Sequence, residues 1–165
     1  MTATYEPIST QTLGTAQASV TFSSIPATYT DLVLVYEAGN SGNIYDGTFA
    51  RFNSDTGSNY SWTYLLGNGS SAISGRESSV ARTGAGASGA SRGMSILNIM
   101  NYSNTTTYKT ILNRRSVVDA SGYSVGAEVG LWRSTAAIST VLLFVQSGTN
   151  FDAGSTFTLY GIKAE

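Results

Sequence analysis

Short runs of alternating apolar and polar residues, separated by turn signals, extend along nearly the whole sequence. Ala18, Val20 and Phe22 alternate with polar residues, and the same spacing recurs from Val125 to Leu131. Because successive side chains of a β-strand point to opposite faces, a period of two is typical of strands. No stretch with helical periodicity is longer than two turns. The sequence therefore predicts an all-β protein.

About ten short strands with turns at regular intervals predict an antiparallel β-sandwich with a jelly-roll-like arrangement. Residues 31–38 are almost continuously apolar, which indicates a central strand covered on both faces. The length of 165 residues is typical of one domain. We predict a single β-sandwich domain over residues 1–165, with these aromatic residues in its core: Tyr36, Phe52, Trp62, Tyr64, Tyr108, Trp132 and Phe144.

Two segments are predicted to lie outside the strands, an N-terminal arm over residues 1–8 and a long loop over residues 70–93. The loop is rich in glycine and serine and contains Arg76, Arg82 and Arg92. Such residues lose much conformational entropy on ordering, and long loops in compact domains are commonly functional. We expect the loop to contact a neighbouring subunit, and the alternative is a loop that packs within its own chain.

Trp132 has three possible environments. The protein core is the first assignment, because the large ring buries much apolar surface. A subunit interface, where tryptophan is enriched, and a ligand site are the alternatives. The candidate contacts between subunits combine the arm, the arginines of the loop and this tryptophan: Tyr5, Glu6, Pro7, Ile8, Arg76, Arg82, Arg92 and Trp132.

The chain contains no histidine and no cysteine. Histidine is the side chain that titrates near pH 7, and cysteine is a strong nucleophile and a soft metal ligand. Because the usual residues of many hydrolase, redox and zinc sites are missing, we predict no enzyme activity, no cofactor and no metal. The net charge of −1 argues against nucleic acid or an anionic membrane as partner. Only 12% of the residues are charged, and a surface of Ser, Thr, Asn and Gly can pack against copies of itself.

Three short motifs are better explained without catalysis. The GxGxxG pattern at residues 84–89 leads into a predicted strand, whereas a dinucleotide site needs a helix there. The GxSxG pattern at residues 89–93 has no histidine to take the serine proton. Residues 55–57 (Asp-Thr-Gly) are interpreted as a turn. The alternative of an enzyme, such as a depolymerase, would need two carboxylates that folding brings together.

Phrases at both ends of the chain resemble small virion structural proteins of tailed bacteriophages, notably phages of cyanobacteria and other aquatic bacteria. The phrases are YEPI at 5–8, TQTLG at 10–14, ASVTFSSIP at 18–26, YTDLVLV at 29–35 and GSTFTLYGIK at 154–163. The middle of the chain, including the glycine-rich segment, departs from this resemblance.

The resemblance implies a β-sandwich displayed on a virion that assembles in the cytoplasm of the host bacterium. The expected function is that of a non-enzymatic capsid decoration (cement) protein that stabilises the head by bridging capsid subunits. Its expected partners are the major capsid protein and further copies of itself, as a homotrimer or another homo-oligomer. The alternative is a module of a tail or head fibre that binds host surface glycan through exposed aromatic residues.

Overall fold

The protein is all-β in the computed structural model, which describes residues 4–42, 47–78, 81–84, 91–119, 122–146 and 148–163. No helix occurs within these ranges, and so none that could span a membrane. The strands are β1 (Tyr5–Thr12), β2 (Ser19–Phe22), β3 (Asp31–Ala38), β4 (Thr48–Phe52), β5 (Tyr60–Gly67), β6 (Ala72–Glu77), β7 (Ala81–Gly84), β8 (Gly93–Ile99), β9 (Lys109–Asp119), β10 (Gly122–Trp132), β11 (Val141–Val145) and β12 (Thr156–Ile162).

The strands form two antiparallel sheets. The larger sheet has eight strands in the order β1-β12-β3-β8-β9-β10-β5-β6, and the smaller has four in the order β2-β11-β4-β7. The predicted fold class, an antiparallel β-sandwich, is confirmed. The jelly-roll-like arrangement stays a prediction.

The core lies between the two sheets and receives alternate residues from most of the strands. In β3, Leu32, Leu34 and Tyr36 point inward and are buried. Phe22 and Leu143 of the smaller sheet belong to the same core cluster. Each buried side chain of this kind stabilises the fold by about 1.5–3 kcal/mol, so burial between the sheets holds the sandwich together.

The N-terminal arm predicted over residues 1–8 is wrong for residues 5–8. These residues begin β1, which pairs along its length with β12, from Tyr5 opposite Ile162 to Thr12 opposite Thr156. The physical reason is that β12 would otherwise be an edge strand with unpaired backbone groups. Proline is tolerated at position 7 because β1 is itself the edge of the sheet. Residues 1–3 lie outside the described residues.

The long loop predicted over residues 70–93 is also wrong in part. Residues 72–77 form β6, which pairs with β5, and residues 81–84 form β7, which pairs with β4. Glycine allows large rings to approach these short strands, because the Tyr64 ring lies where a side chain of residue 75 would begin. Residues 79–80 and 85–90 lie outside the described residues, and they include most of the GxGxxG pattern and the first two residues of the GxSxG pattern.

The aromatic core is mostly as predicted. Tyr36, Phe52, Trp62 and Trp132 are buried, whereas Tyr64 and Phe144 are half-buried. Tyr108 is 53% exposed, so its core assignment is wrong. Tyr108 immediately precedes β9, which begins at residue 109, and the inward position there is taken by Lys109.

Candidate binding face

The eight-stranded sheet has a second face, directed away from the core, and β10 shows how the sequence builds it. Glu128, Gly130 and Trp132 point inward and are buried, whereas Val125 and Val129 lie on the opposite side of the strand and are exposed. Both sets obey the period of two that strand geometry imposes. Aliphatic residues therefore stand on the solvent side of this strand.

Strand register extends this pattern across the sheet. One cross-strand row runs from Val35 through Ile96, Arg114 and Ala127 to Leu65. Neighbouring rows add aliphatic and aromatic residues at the same side. We call this surface the outer face, and its principal residues are Val33, Val35, Leu65, Met94, Ile96, Leu112, Arg114, Val118, Tyr123, Val125 and Val129.

Much of the outer face is open to solvent. The exposed fraction is 63% for Leu65, 65% for Val118 and 62% for Val125. Monomeric proteins rarely expose contiguous apolar surface of this kind unless it binds something. The outer face is therefore the candidate functional site.

Shallow grooves cross the outer face along β8, β9 and β10. One has a volume of about 440 Å³ and is lined in part by Asn98, Met100 and Leu112. A second, of about 320 Å³, lies beside Val118 and Tyr123, and a third has a volume of about 220 Å³. Because methionine adapts its shape to a partner, the Met-lined grooves suit contact with another apolar surface.

Charged residues are sparse on this surface, and two of them, Arg76 of β6 and Asp31 at the start of β3, stand at its margins. Arg114 stands between two of the grooves, and Glu37 lies on the same face opposite Met94. Neither Arg114 nor Glu37 has an ion-pair partner within the described parts of the chain. Both groups are thus available to a molecule that covers the face.

A buried polar cluster lies on the opposite side of the same strands. The Glu128 carboxylate accepts hydrogen bonds from Arg115 Nε at 2.7 Å, from Asn113 Nδ2 at 2.8 Å and from Trp62 Nε1 at 3.3 Å. Asn113 Nδ2 also donates to the backbone carbonyl of Thr83 in the smaller sheet at 2.8 Å. Both carboxylate oxygens are occupied by donors of the chain, so the cluster joins the two sheets rather than facing a substrate.

A second carboxylate is held in the same way. Asp55 accepts hydrogen bonds from Trp132 Nε1 at 2.7 Å, Asn59 Nδ2 at 2.9 Å and the Gly57 backbone N–H at 2.8 Å. The bond from Trp132 is the main reason why the pKa of Asp55 lies below its ordinary value, although desolvation opposes it. Residues 55–57 therefore form the predicted turn, and Asp55 anchors it.

The residues predicted in the N-terminal arm are drawn into contacts within the chain. The Glu6 carboxylate accepts a hydrogen bond from Lys163 Nζ at 2.8 Å, which lowers the pKa of Glu6, and another from the Tyr29 hydroxyl at 3.2 Å. Ile8 packs against the core. Tyr5 is 58% exposed and meets the edge of Tyr160, and Pro7 is exposed on the same edge strand.

The predicted arginines are separated in space. Arg76 is exposed on the outer side of β6, opposite Thr63. Arg82 pairs with Glu77 at 3.3 Å and lies over the rings of Phe49 and Tyr64. These arginines are therefore close in the sequence but do not form one basic site.

Arg92 and Trp132 are engaged within the protomer. Arg92 Nη2 donates to the backbone carbonyl of Ala153 at 3.0 Å. Trp132 is 2% exposed and packs against Phe52 at a ring distance of 5.7 Å. The assignment of Trp132 as an intersubunit contact is wrong, because its neighbours in the same chain already enclose the indole.

Sequence reasoning missed the outer face itself, although a signal was present. In β10, the glycines at 126 and 130 lie on the same side of the strand as Trp132. Large inward side chains fill the space that these glycines leave, and the ring of Trp62 lies where a side chain of residue 130 would begin. Glycine opposite a tryptophan indicates which parity faces a crowded core. The aliphatic residues of the other parity must then face outward.

Neither a possible metal-binding group among the described residues nor a similar known protein helps to assign the site. Among the described residues there is no group of three or more His, Cys, Asp or Glu side chains that could hold a metal ion. No protein-family model matches the sequence, and neither the curated proteins nor the solved structures yield a significant match.

Proposed function

We propose that this protein is a non-enzymatic structural protein of a tailed-phage virion, most specifically a capsid decoration protein that stabilises the head by bridging capsid subunits. The observation that carries the proposal is the apolar outer face of the eight-stranded sheet. A face of this kind is removed from water only in an assembly, so the protein's task is to assemble.

The physical basis is linkage between binding and stability. A contact that forms only on assembly, with the capsid protein or with another copy of this chain, adds its binding free energy to the assembled state and nothing to the free subunits. Burial of apolar surface contributes about 25 cal/mol per Å², and exposed residues such as Val125 and Leu65 supply that surface. Backbone pairing on both sides holds β9 and β10 in place, so little conformational entropy is lost when their outward residues are covered.

The resemblance of both chain ends to virion proteins of tailed phages supports the proposal that the protein belongs to such a virion. Under this proposal the partners are the major capsid protein and further copies of this chain, and the location is the virion, assembled in the bacterial cytoplasm. The chain's β1 and β12, where the resemblance is strongest, form one end of the large sheet. The middle of the chain, which departs from the resemblance, contributes the strand at the opposite end of the sheet, β6.

The test is co-sedimentation of the purified protein with phage heads that lack it. We expect saturable binding at a fixed ratio to the capsid protein. Val129→Asp, which places a charge on the outer face, should weaken binding at least tenfold. Ile73→Asp is the matched control, because Ile73 is 45% exposed but pairs with Leu66 on the other side of the same sheet.

Two outcomes would overturn the assignment. Heads that bind no protein, with recovery only in tail or fibre fractions, would assign the chain to a fibre module instead. Equal binding by wild type and Val129→Asp would remove the outer face from the function.

A further inference from the structure

We propose that the occupant of the outer face is a second copy of this chain, packed face to face about a two-fold axis that passes near Met94 and Ile96. The inference rests on the assembly role proposed above and names the partner at its binding face. Three properties of the face lead to it: its size, the placement of its charges and the protection of the neighbouring sheet edge.

The area of the face suits a dimer. Eight strands lie about 4.8 Å apart, and even the shortest has six residues, at about 3.4 Å per residue, so the face spans at least roughly 780 Å². A stable, specific interface buries about 800 Å² on each side. β8 is the fourth of the eight strands, so an axis near Met94 and Ile96 shares almost the whole face between the two copies.

The two opposite charges that flank β8 are complementary to themselves. Arg114 lies opposite Ile96, and Glu37 lies opposite Met94, the next outward residue of β8. Arg114 and Glu37 are therefore on the two sides of β8, roughly 12 Å apart in the plane of the sheet. A two-fold axis midway between them brings Arg114 of each copy opposite Glu37 of the other.

A partner surface of a single charge sign would leave one of these two charges unpaired. An acidic partner would satisfy Arg114 and repel Glu37, and a basic partner would do the reverse. An isologous interface satisfies both, because each contact occurs twice. The composition also follows the usual arrangement of an interface, with aliphatic residues and methionine near the axis and threonines of β1 and β12 at the rim.

Association along the β1 edge is less favourable than association through the face. β1 contains Pro7, and its pairing with β12 shifts register between Pro7 and Ser9. Proline and irregular register are the devices by which natural edge strands avoid further pairing. The face carries no such protection.

The test is the oligomeric state in solution, measured by sedimentation velocity across a concentration series. We expect a dimer at micromolar concentration. Met94→Asp should raise the dissociation constant at least tenfold, and Ile73→Asp should leave it unchanged. Circular dichroism and thermal melting confirm that each variant is folded.

Charge reversal tests the axis itself. Glu37→Arg and Arg114→Glu each place like charges opposite one another in both symmetry-related contacts, so each should weaken the dimer at least tenfold. The double variant reverses every contact and should restore most of the affinity. Reversal leaves the fold of a monomer unaffected because both side chains point to solvent in β3 and β9.

Three results overturn the inference: a wild-type monomer at about 100 μM, a dimer that Met94→Asp leaves intact, or a double reversal that is no tighter than the single variants. Its failure is separable from failure of the capsid assignment. A monomer that still binds heads through Val129 would show that the face meets the capsid protein directly. A dimer that binds no heads would retain the interface and exclude the decoration role.

Discussion

Arg115 Nε donates a hydrogen bond to Glu128 Oε1 at 2.7 Å inside the sandwich, where the two side chains are 2% and 0% exposed. The pair exists because both residues share the inward parity of neighbouring strands: Asn113 lies opposite Glu128, and Arg115 lies opposite Gly126. Leu66 and the arginine occupy the space that a side chain at position 126 would need. Both oxygens of the carboxylate accept hydrogen bonds, whereas Arg115 Nη2 has no hydrogen-bond partner among the described residues.

Removal of one member of this pair should destabilise the protein strongly. Glu128→Leu leaves an unpaired guanidinium in the interior, and we expect a loss of about 3–5 kcal/mol in the free energy of unfolding. Arg115→Met combined with Glu128→Leu should recover most of that loss, because the desolvation penalty of both charges disappears. Urea unfolding of the three variants measures this coupling, and strictly additive effects would contradict it.

Asp55 should make the protein acid-sensitive. Its folded pKa is lowered, chiefly by the hydrogen bond from Trp132, whereas in the unfolded chain it returns to about its ordinary 3.8. The ionised carboxylate thus stabilises the fold above the unfolded pKa, and this contribution is lost as the pH falls through the folded pKa. Asp55→Asn should cost about 1–2 kcal/mol at pH 7 and reduce the loss below pH 4. Thermal melts from pH 7 to 2 provide the comparison, and parallel curves for the two proteins would refute this role.

Alkaline conditions should destabilise the protein through Tyr36. Burial raises its pKa to about 12, so the unfolded chain releases the phenolic proton first. The contribution of Tyr36 to stability is constant below about pH 10 and falls by about 3 kcal/mol between pH 10 and 12, because its pKa is about 10 in the unfolded chain and about 12 in the folded protein. Burial also raises the pKa of Tyr60 to about 12 and lowers that of Lys109, whose contribution has the opposite sign.

Tyr36→Phe isolates the contribution of this one hydroxyl. The variant loses the hydrogen bond to Thr83 Oγ1, 3.1 Å away, which should cost about 1 kcal/mol at neutral pH. Its stability should then fall less steeply than that of wild type above pH 10. Chemical unfolding at pH 8, 10 and 11 distinguishes the two slopes, and identical slopes would show that Tyr36 does not carry the alkaline transition.

Gly130 should tolerate no side chain. The six-membered ring of Trp62 occupies the position that a methyl group at 130 would take. Overpacking of a filled core costs about 1–3 kcal/mol, so Gly130→Ala should lower the melting temperature by several degrees. Gly14→Ala is the matched control, because no atom lies within 4 Å of its added methyl group, and it should be neutral. Equal effects of both substitutions would contradict the packing argument.

Local sequence predicted the strands well wherever apolar residues alternate or run together. The continuous run at 31–38 became β3, and Val33 is buried although it points away from the core. The prediction failed where pairing, rather than hydrophobicity, makes the strand. Residues 72–77 are mostly small or charged, and they are extended because β5 offers backbone partners along its edge.

The sequence by itself determined that this chain is an antiparallel β-sandwich without histidine or cysteine chemistry, because period-two alternation and composition are local properties. The tertiary structure alone decided which parity of each strand faces the core, since that choice depends on the neighbours across the sheet. Val125 and Val129 are as apolar as any core residue. They face solvent because Trp62, Glu128 and Trp132 already fill the interior beneath their strand.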